Sequence, residues 1–471
     1  MSQAWAPAPK NLKHYPHFDA PISRRKLIEL ANSPGLVSRH SFFPFLQYKK
    51  SWVPFRADGM REPKERLIRY ASRRDSIIFS RYRQLLSDLY EKRLRECGID
   101  EAVIAYRKIP VSEGGSPGKC NIHFAKEAFD KIRTLSPCCA VVMDISKYFE
   151  NIDHDLLKRN WCRLLNLSSL PKDHYAVFKA ITHYSVVDRK KALQSLGYLG
   201  EQGQRENPKS KLPKQLCTPH EFRQKIAGDA PSFESLIEQN RNSFGIPQGA
   251  PLSDVLANIY LMDFDVKVKS WAEQQGGSYW RYSDDILVVL PGDLDDGKEA
   301  FSFVSQEIVC HGERLSIKPE KTAVVSFHSK NDELTYSVPE GVRPANGLEY
   351  LGFRFDGKRV YLRDSTVSRF YRKLTHFSRQ EIISLIKRYP GKSLRFIEEK
   401  VDIGRLEHRF GRVMDFEKSH PEGWTFWTYV RRASLIFGTK GRPILEQVSS
   451  YREYFRRRVE LELTRQYDRL P

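Results

Sequence analysis

Residues 278–290, SYWRYSDDILVVL, constrain the fold more than any other stretch. Tyr279, Trp280 and Tyr282 on one side and Ile286, Leu287, Val288 and Val289 on the other are strand formers. Between them Ser283-Asp284-Asp285 reads as a tight polar turn. The pattern predicts a β-hairpin holding two adjacent carboxylates at its tip. Like charges that close disfavour joint ionisation. A divalent cation offsets their repulsion, and oxygen ligands suit Mg²⁺. Taken alone, the triplet equally describes an ordinary Asp-rich turn, because Asp and Ser are common there.

A second stretch, AVVMDISKYFENIDH at 140–154, changes the balance. An apolar strand-like run, Ala140 to Met143, ends in Asp144, and a helix-like segment follows. Laid side by side in one sheet, the two elements bring Asp144 next to Asp284 and Asp285. Such a cage suits two metals about 3.5–4 Å apart, the arrangement used for in-line phosphoryl displacement.

These residues carry a resemblance. Asp144-x-x-x-x-Phe149 resembles motif A of the right-hand polymerase palm, and Tyr282-Ser283-Asp284-Asp285 resembles the YxDD box of reverse transcriptases. GIPQGAPLS at 245–253 is similar to motif B, RLSIKPEKT at 314–322 to motif D, and LEYLGF at 348–353 to motif E. Five motifs stand in family order; any one alone would be weak.

The resemblance implies an α+β right-hand polymerase with an antiparallel palm sheet and a helical thumb. It implies an N-terminal arm at 1–60, fingers at 61–139, a palm at 140–364 with an insertion about 187–232, and a helical C-terminal domain at 365–471. It also implies an RNA-directed DNA polymerase using two Mg²⁺ ions. Asp144, Asp284 and Asp285 would be catalytic metal ligands, with the carbonyl of Ile145 as an extra one. Phe149 would be the steric gate against a ribose 2′-OH, although a core Phe shares that geometry. Gln248 and Gly249 would lie against the nascent base pair, Lys321 near the triphosphate, and Leu351 and Gly352 in the primer grip. Lys64 and Arg66 match the fingers strand that holds the incoming triphosphate, and a planar guanidinium suits phosphate. Arg69, Arg73 and Arg74 are neighbours that could substitute. Arg107 and Lys108 are second-line candidates.

Composition agrees with a polyanionic partner. The net charge is +20 over 471 residues. Residues 365–471 hold 23 Lys and Arg against 13 Asp and Glu, half the excess on under a quarter of the length. That fits a helical domain gripping phosphates. The 7 Cys include no CxxC pair, which argues against a zinc module and fits a reducing cytosol. No apolar run approaches the ~20 residues that span a bilayer. The expected site is therefore cytoplasmic, with no membrane.

Several local expectations follow. Residues 1–60 read as irregular. A short strand and a long helix are expected within 62–96, a fingers strand at 103–110, and an amphipathic helix at 121–133. Residues 111–119 form a Gly/Pro loop and 197–213 a polar surface loop. Ser253 or Asp254 is expected to cap the motif-B helix, and Lys321 to follow a short strand. Helices are expected at 366–388, 392–412, 424–437 and 444–467. Tyr451, Tyr454 and Tyr467 sit among arginines, suited to base stacking, to priming or to helix packing.

The YRKIP stretch, YSDD and the long spacing between motifs A and B resemble bacterial defence-associated, abortive-infection-type reverse transcriptases. That implies antiphage immunity, a noncoding RNA as template or scaffold, DNA product, dNTP substrates and a possible homo-oligomer. Alternatives are a retron or group II intron-type enzyme, a template-independent DNA polymerase, a splicing cofactor with a vestigial site, or an RNA-dependent RNA polymerase.

Overall fold

The computed structural model describes residues 5–9, 12–52, 63–112, 118–200, 211–331, 333–339, 346–402, 404 and 425–468. In chain order the strands are β1 (Phe45–Trp52), β2 (Lys64–Tyr70), β3 (Cys138–Asp144), β4 (Ser185–Asp188), β5 (Ile237–Gln239), β6 (Ser278–Tyr282), β7 (Asp285–Pro291), β8 (Ala323–Lys330), β9 (Glu333–Ser337), β10 (Leu348–Tyr350), β11 (Phe353–Phe355) and β12 (Val360–Leu362). The helices are α1 (Arg24–Asn32), α2 (Pro34–Val37), α3 (Arg73–Glu96), α4 (Asn121–Leu135), α5 (His154–Leu165), α6 (Lys172–Thr182), α7 (Arg189–Ser195), α8 (Pro219–Glu221), α9 (Ser253–Tyr260), α10 (Met262–Gln274), α11 (Leu294–Cys310), α12 (Asp364–Arg388) and α13 (Leu394–Glu399). Helices Phe426–Phe437, Arg442–Glu446 and Tyr451–Tyr467 follow. The fold is mixed, with antiparallel sheets and a C-terminal helical region. Among the described residues, no helix is long and apolar enough to cross a membrane.

The centre is a five-stranded antiparallel sheet in the order β6-β7-β3-β8-β9. Alternate residues of β3 feed two separate cores. Cys139, Val141 and Met143 meet Ile286, Val288 and Leu290 on the face covered by α3, α9, α10 and α11. Cys138 and Ala140 meet Leu287, Val289, Val325 and Phe327 on the face covered by α4, β10–β12 and the C-terminal helices. A strand buried on both faces reads as a continuous apolar run, which is what CCAVVM is.

A four-stranded sheet, β2-β1-β4-β5, stands beside it. Here the expectation of an irregular N-terminus is corrected: α1, α2 and β1 are regular, and β1 pairs antiparallel with β2 and parallel with β4. The stretch 187–232 likewise builds structure. Val187, Ala192, Leu193, Leu216 and Ile226 pack with Phe18 and Leu46 in a small third core. Most of the loop expected at 197–213 lies outside the described residues, as does most of the Gly/Pro loop at 111–119.

Other expectations also change. Residues 103–110 are not a strand and make only isolated bridges, Val103 to Arg281 and Pro110 to Gly118. The chain folds around the Arg107 guanidinium, which takes the carbonyl oxygens of Asp100 and Val103 and pairs with Glu91 at 2.7 Å. After Asp144 there is a short 3₁₀ turn, Tyr148–Glu150, before α5 begins. The first C-terminal helix is continuous; among the described residues, 392–412 contributes α13 and the helical Gly404, and 403 and 405–412 lie outside them. The last expected helix is broken after Glu446. The tyrosines pack: Tyr451 is buried against Phe370, Tyr454 bonds Thr375 at 2.9 Å, and Tyr467 donates to the Lys392 carbonyl at 3.3 Å.

Candidate active site

Sheet register sets the geometry. β3 and β7 pair so that Asp144 lies opposite Asp285. The β6–β7 hairpin turns at Ser283-Asp284, and the Asp284 carbonyl accepts the Ile145 N–H at 2.9 Å. Three carboxylates far apart in sequence thus stand at one edge of the central sheet, all half-buried.

The turn is held from below. Ser283 is in the left-handed region, at φ +63°. Arg281, fully buried, donates from Nη1 to the Ser283 carbonyl at 3.1 Å and from Nη2 to Asp265 at 2.6 Å. Asp265 also accepts from Tyr279 at 2.6 Å, and the Asn258 side chain accepts from Arg281 at 3.3 Å. From the other side, the Tyr106 and Ser283 hydroxyls bond at 2.9 Å. The apolar alternation of the hairpin does not reveal this network. The clues were Arg281 on the same strand face as Tyr279, and Asp265 within an amphipathic helix.

The electrostatics are unbalanced. Burial, then Asp284, then Asp144 push the Asp285 carboxyl up to about 7, against opposing pulls from Arg363 and Lys321. Asp144 gives Oδ2 to two ammonium groups, Lys321 at 2.8 Å and Lys318 at 3.0 Å. The contact exists because 316–318 runs along the end of β3. Lys318 N–H bonds the Asp144 carbonyl at 3.0 Å, and Ser146 N–H bonds the Ser316 carbonyl at 2.8 Å. Lys318 was overlooked, although it stands three residues before Lys321. Lys321 itself precedes β8, in a 3₁₀ turn, rather than following a strand, because Pro319 starts that turn.

Among the described residues, no three His, Cys, Asp or Glu side chains stand close enough to hold a metal ion as they are. The donor set nonetheless suits a hard cation. It offers hard oxygens, and burial together with Asp284 and Asp144 raises the Asp285 carboxyl, a repulsion that a cation there would relieve.

Motif B lies against the second sheet. The Gln248 carbonyl accepts the Arg69 N–H at 3.1 Å, and Gln248 is half-buried. Gly249, at φ +110°, is the residue the approach demands, since a Cβ there would lie 2.4 Å from the Arg69 carbonyl oxygen. Ile246 N–H bonds the Phe149 carbonyl at 2.8 Å, which ties the motif-A turn to motif B. Phe149 is 9% exposed and its ring packs edge-on to Tyr148. The buried Ile145 bridges Ile317. Lys64 opens β2, and Arg66 is exposed on it opposite Lys50.

Other candidates are engaged elsewhere. Arg73 is buried on Asp19, the Arg74 guanidinium donates to the Ala20 carbonyl while its backbone N–H bonds Asp19, and Arg69 Nε bonds Gln47 at 2.8 Å. Lys108 is exposed. Neither Ser253 nor Asp254 caps α9. The Ser253 hydroxyl donates back to the Pro247 carbonyl at 2.7 Å, and Asp254 takes Arg83 through both oxygens. Leu351 (φ +47°) and Gly352 (φ +91°) form the β10–β11 turn, where Asn121 donates to the Leu351 carbonyl at 3.0 Å.

Residues 211–355 match the family model "Reverse transcriptase (RNA-dependent DNA polymerase)", under a third of the chain. No curated protein matches. Among solved structures, the chain is similar to apo telomerase from Candida tropicalis truncated from its C-terminal domain. Identity is 11% and the TM-score 0.39, over 68% of this chain and 57% of that one. It is also similar to telomerase from Candida albicans in complex with a fragment of telomeric RNA, at 11% identity and TM-score 0.37, over 93% and 64%. A third is the RNA-dependent RNA polymerase of a human picobirnavirus, at 13% identity and TM-score 0.34, over 68% and 45%. The chain thus spans under two thirds of the first two telomerases' length. The family match is a likeness of residues 211–355, the part of the chain that carries Asp284 and Asp285 but not Asp144.

Proposed function

We propose that this chain copies RNA into DNA at the edge of the central sheet where Asp144, Asp284 and Asp285 meet. The observation that carries the reading is the β3–β7 register, Asp144 opposite Asp285 beside the Ser283-Asp284 turn. In this reading the central sheet with its covering helices is the palm. The β1–β2 sheet with α3 is the fingers, and the chain from α12 onward is the thumb.

The three carboxylates, with the Ile145 carbonyl, would hold two Mg²⁺ ions, which would supply activation of a primer 3′-OH and neutralisation of the departing pyrophosphate. The protein's own part is positioning and charge. Lys318 and Lys321 neutralise Asp144 Oδ2, and Lys321 would turn its ammonium to the triphosphate if bound metal took over that oxygen. Lys64 and Arg66 hold the triphosphate from β2. Gln248 and Gly249 back the nascent pair, and the Phe149 ring crowds a ribose 2′-OH. Leu351 and Gly352 brace the primer end.

The finer reading is a cytoplasmic, defence-associated enzyme that works with a noncoding RNA and can assemble as a homo-oligomer. It rests on the sequence resemblance alone. Primer extension on an RNA template, with deoxynucleotides and then ribonucleotides, tests the activity. Extension by deoxynucleotides alone supports it. Preferential use of ribonucleotides moves the chain to the RNA-dependent RNA polymerases. Sequencing the nucleic acid that copurifies tests the noncoding RNA.

A further inference from the structure

Away from the carboxylates, α2 and α6 enclose an open groove of about 860 Å³. The α6 wall is written in the sequence at helical spacing. Lys172, Tyr175, Lys179 and His183 follow i, i+3, i+7 and i+11, so they share one face, and all four are exposed. Ala176 and Ala180 form the floor between them. The opposite face of α6 buries Val177, Phe178 and Ile181, which fixes the orientation. Arg39 faces them from the end of α2.

The charge on this groove is one-sided. Among the described residues, Arg39, Lys172 and Lys179 form no ion pair, and no carboxylate lines the groove. The nearby acids are already used: Asp75 is buried between His40 and the Phe43 N–H, and Asp173 accepts the Tyr82 hydroxyl. Tyr175 leaves 47% of its surface to solvent while stacking on Phe178. Unpaired cations beside an exposed, braced aromatic ring are the chemistry that holds single-stranded nucleic acid.

The groove also leads somewhere. The His183 ring, at the end of α6, meets the His154 ring at 5.6 Å, and His154 Nε2 lies 2.8 Å from the Gly245 carbonyl. Asn240 bonds the carbonyls of Thr182 and Phe244. The α6 C-terminus is thus fastened to the turn that precedes Gln248.

We propose that the α2–α6 groove binds the single-stranded part of the template before it reaches Gln248. The proposal rests on the polymerase reading above, but its test reads binding and does not need catalysis. Fluorescence anisotropy compares two labelled RNA–DNA primer–templates, one with a long single-stranded RNA overhang and one with a single-nucleotide overhang. The proteins are the full chain and its Lys172→Glu/Lys179→Glu and Tyr175→Ala variants, with thermal melts as the control for folding. The charge variant is expected to lose about tenfold in affinity for the long overhang. Its salt dependence flattens by about 1.4 in log–log slope, the value for two lost single-strand phosphate contacts. Affinity for the short overhang is unchanged. Tyr175→Ala loses affinity for the long overhang without changing the slope. Equal losses on both substrates, or no loss on the long one, overturns the proposal. If the wild type binds the long overhang better but extends neither substrate, the groove stands and the polymerase reading falls.

Discussion

Arg281 and Asp265 form an ion pair with no solvent exposure on either side chain, 2.6 Å apart, and the same guanidinium holds the Ser283 carbonyl. The pair therefore supports the turn that presents Asp284. Breaking such a pair strands a charge in the core, whereas replacing both partners with apolar groups need not cost stability. Arg281→Met is expected to lower unfolding stability by about 3–5 kcal/mol. Arg281→Met/Asp265→Leu recovers most of that in urea denaturation. Nucleotide incorporation does not recover, because the Ser283 carbonyl still lacks its donor. Full activity in the double variant would show that the pair serves stability alone.

The Asp285 carboxyl, pushed up to about 7, gives the metal-free protein a definite pH dependence. An unfolded Asp releases its proton near 3.9. Between that value and 7 the folded chain holds the proton more tightly than the unfolded chain. Stability therefore falls as pH rises across this window, by at most about 1.4 kcal/mol per pH unit. Asp285→Asn should flatten the slope in denaturation series run from pH 4.5 to 7.5 with chelator present. Added Mg²⁺ should stabilise the wild type more at pH 7.5 than at pH 5. A wild-type slope equal to that of Asp285→Asn would reject the assignment.

Gly249 admits no side chain, since an added Cβ would strike the Arg69 carbonyl at 2.4 Å. Gly249→Ala should push β2 away from motif B and misplace the groups proposed to face the nucleotide. A displacement of that size costs on the order of 100-fold in kcat/KM. Steady-state incorporation kinetics measure it, and an unimpaired variant would mean that the approach is not needed for synthesis.

Phe149 is held by its backbone bond to Ile246 and is nearly buried. Phe149→Ala should admit ribonucleotides, reducing discrimination against them by about 10–200-fold, the range for steric selection in a pocket. The readout is the ratio of kcat/KM for the two nucleotide classes. An unchanged ratio would make Phe149 a core residue and nothing more.

What could be read from the chain itself follows a physical division. The hairpin around 283–285 and the buried run before Asp144 were legible, because strand periodicity and turn chemistry are local. The pairing of β1 with β4 was not, since parallel contacts between distant segments leave no local pattern. Residues 103–110 looked like a strand by composition, yet the buried Arg107 guanidinium takes two nearby carbonyls and curls the chain. The ammonium groups on Asp144 depend on how 316–318 docks against β3, a tertiary contact that residue spacing does not encode.

The central claim is that Asp144, Asp284 and Asp285 act as one site for RNA-templated DNA synthesis. The most direct measurement is primer extension on an RNA template with Mg²⁺ and deoxynucleotides, comparing wild type with folded Asp144→Ala and Asp284→Ala variants. The account predicts extension by the wild type and a loss on the order of a thousandfold or more in each variant. Extension by either variant at the wild-type rate would contradict it.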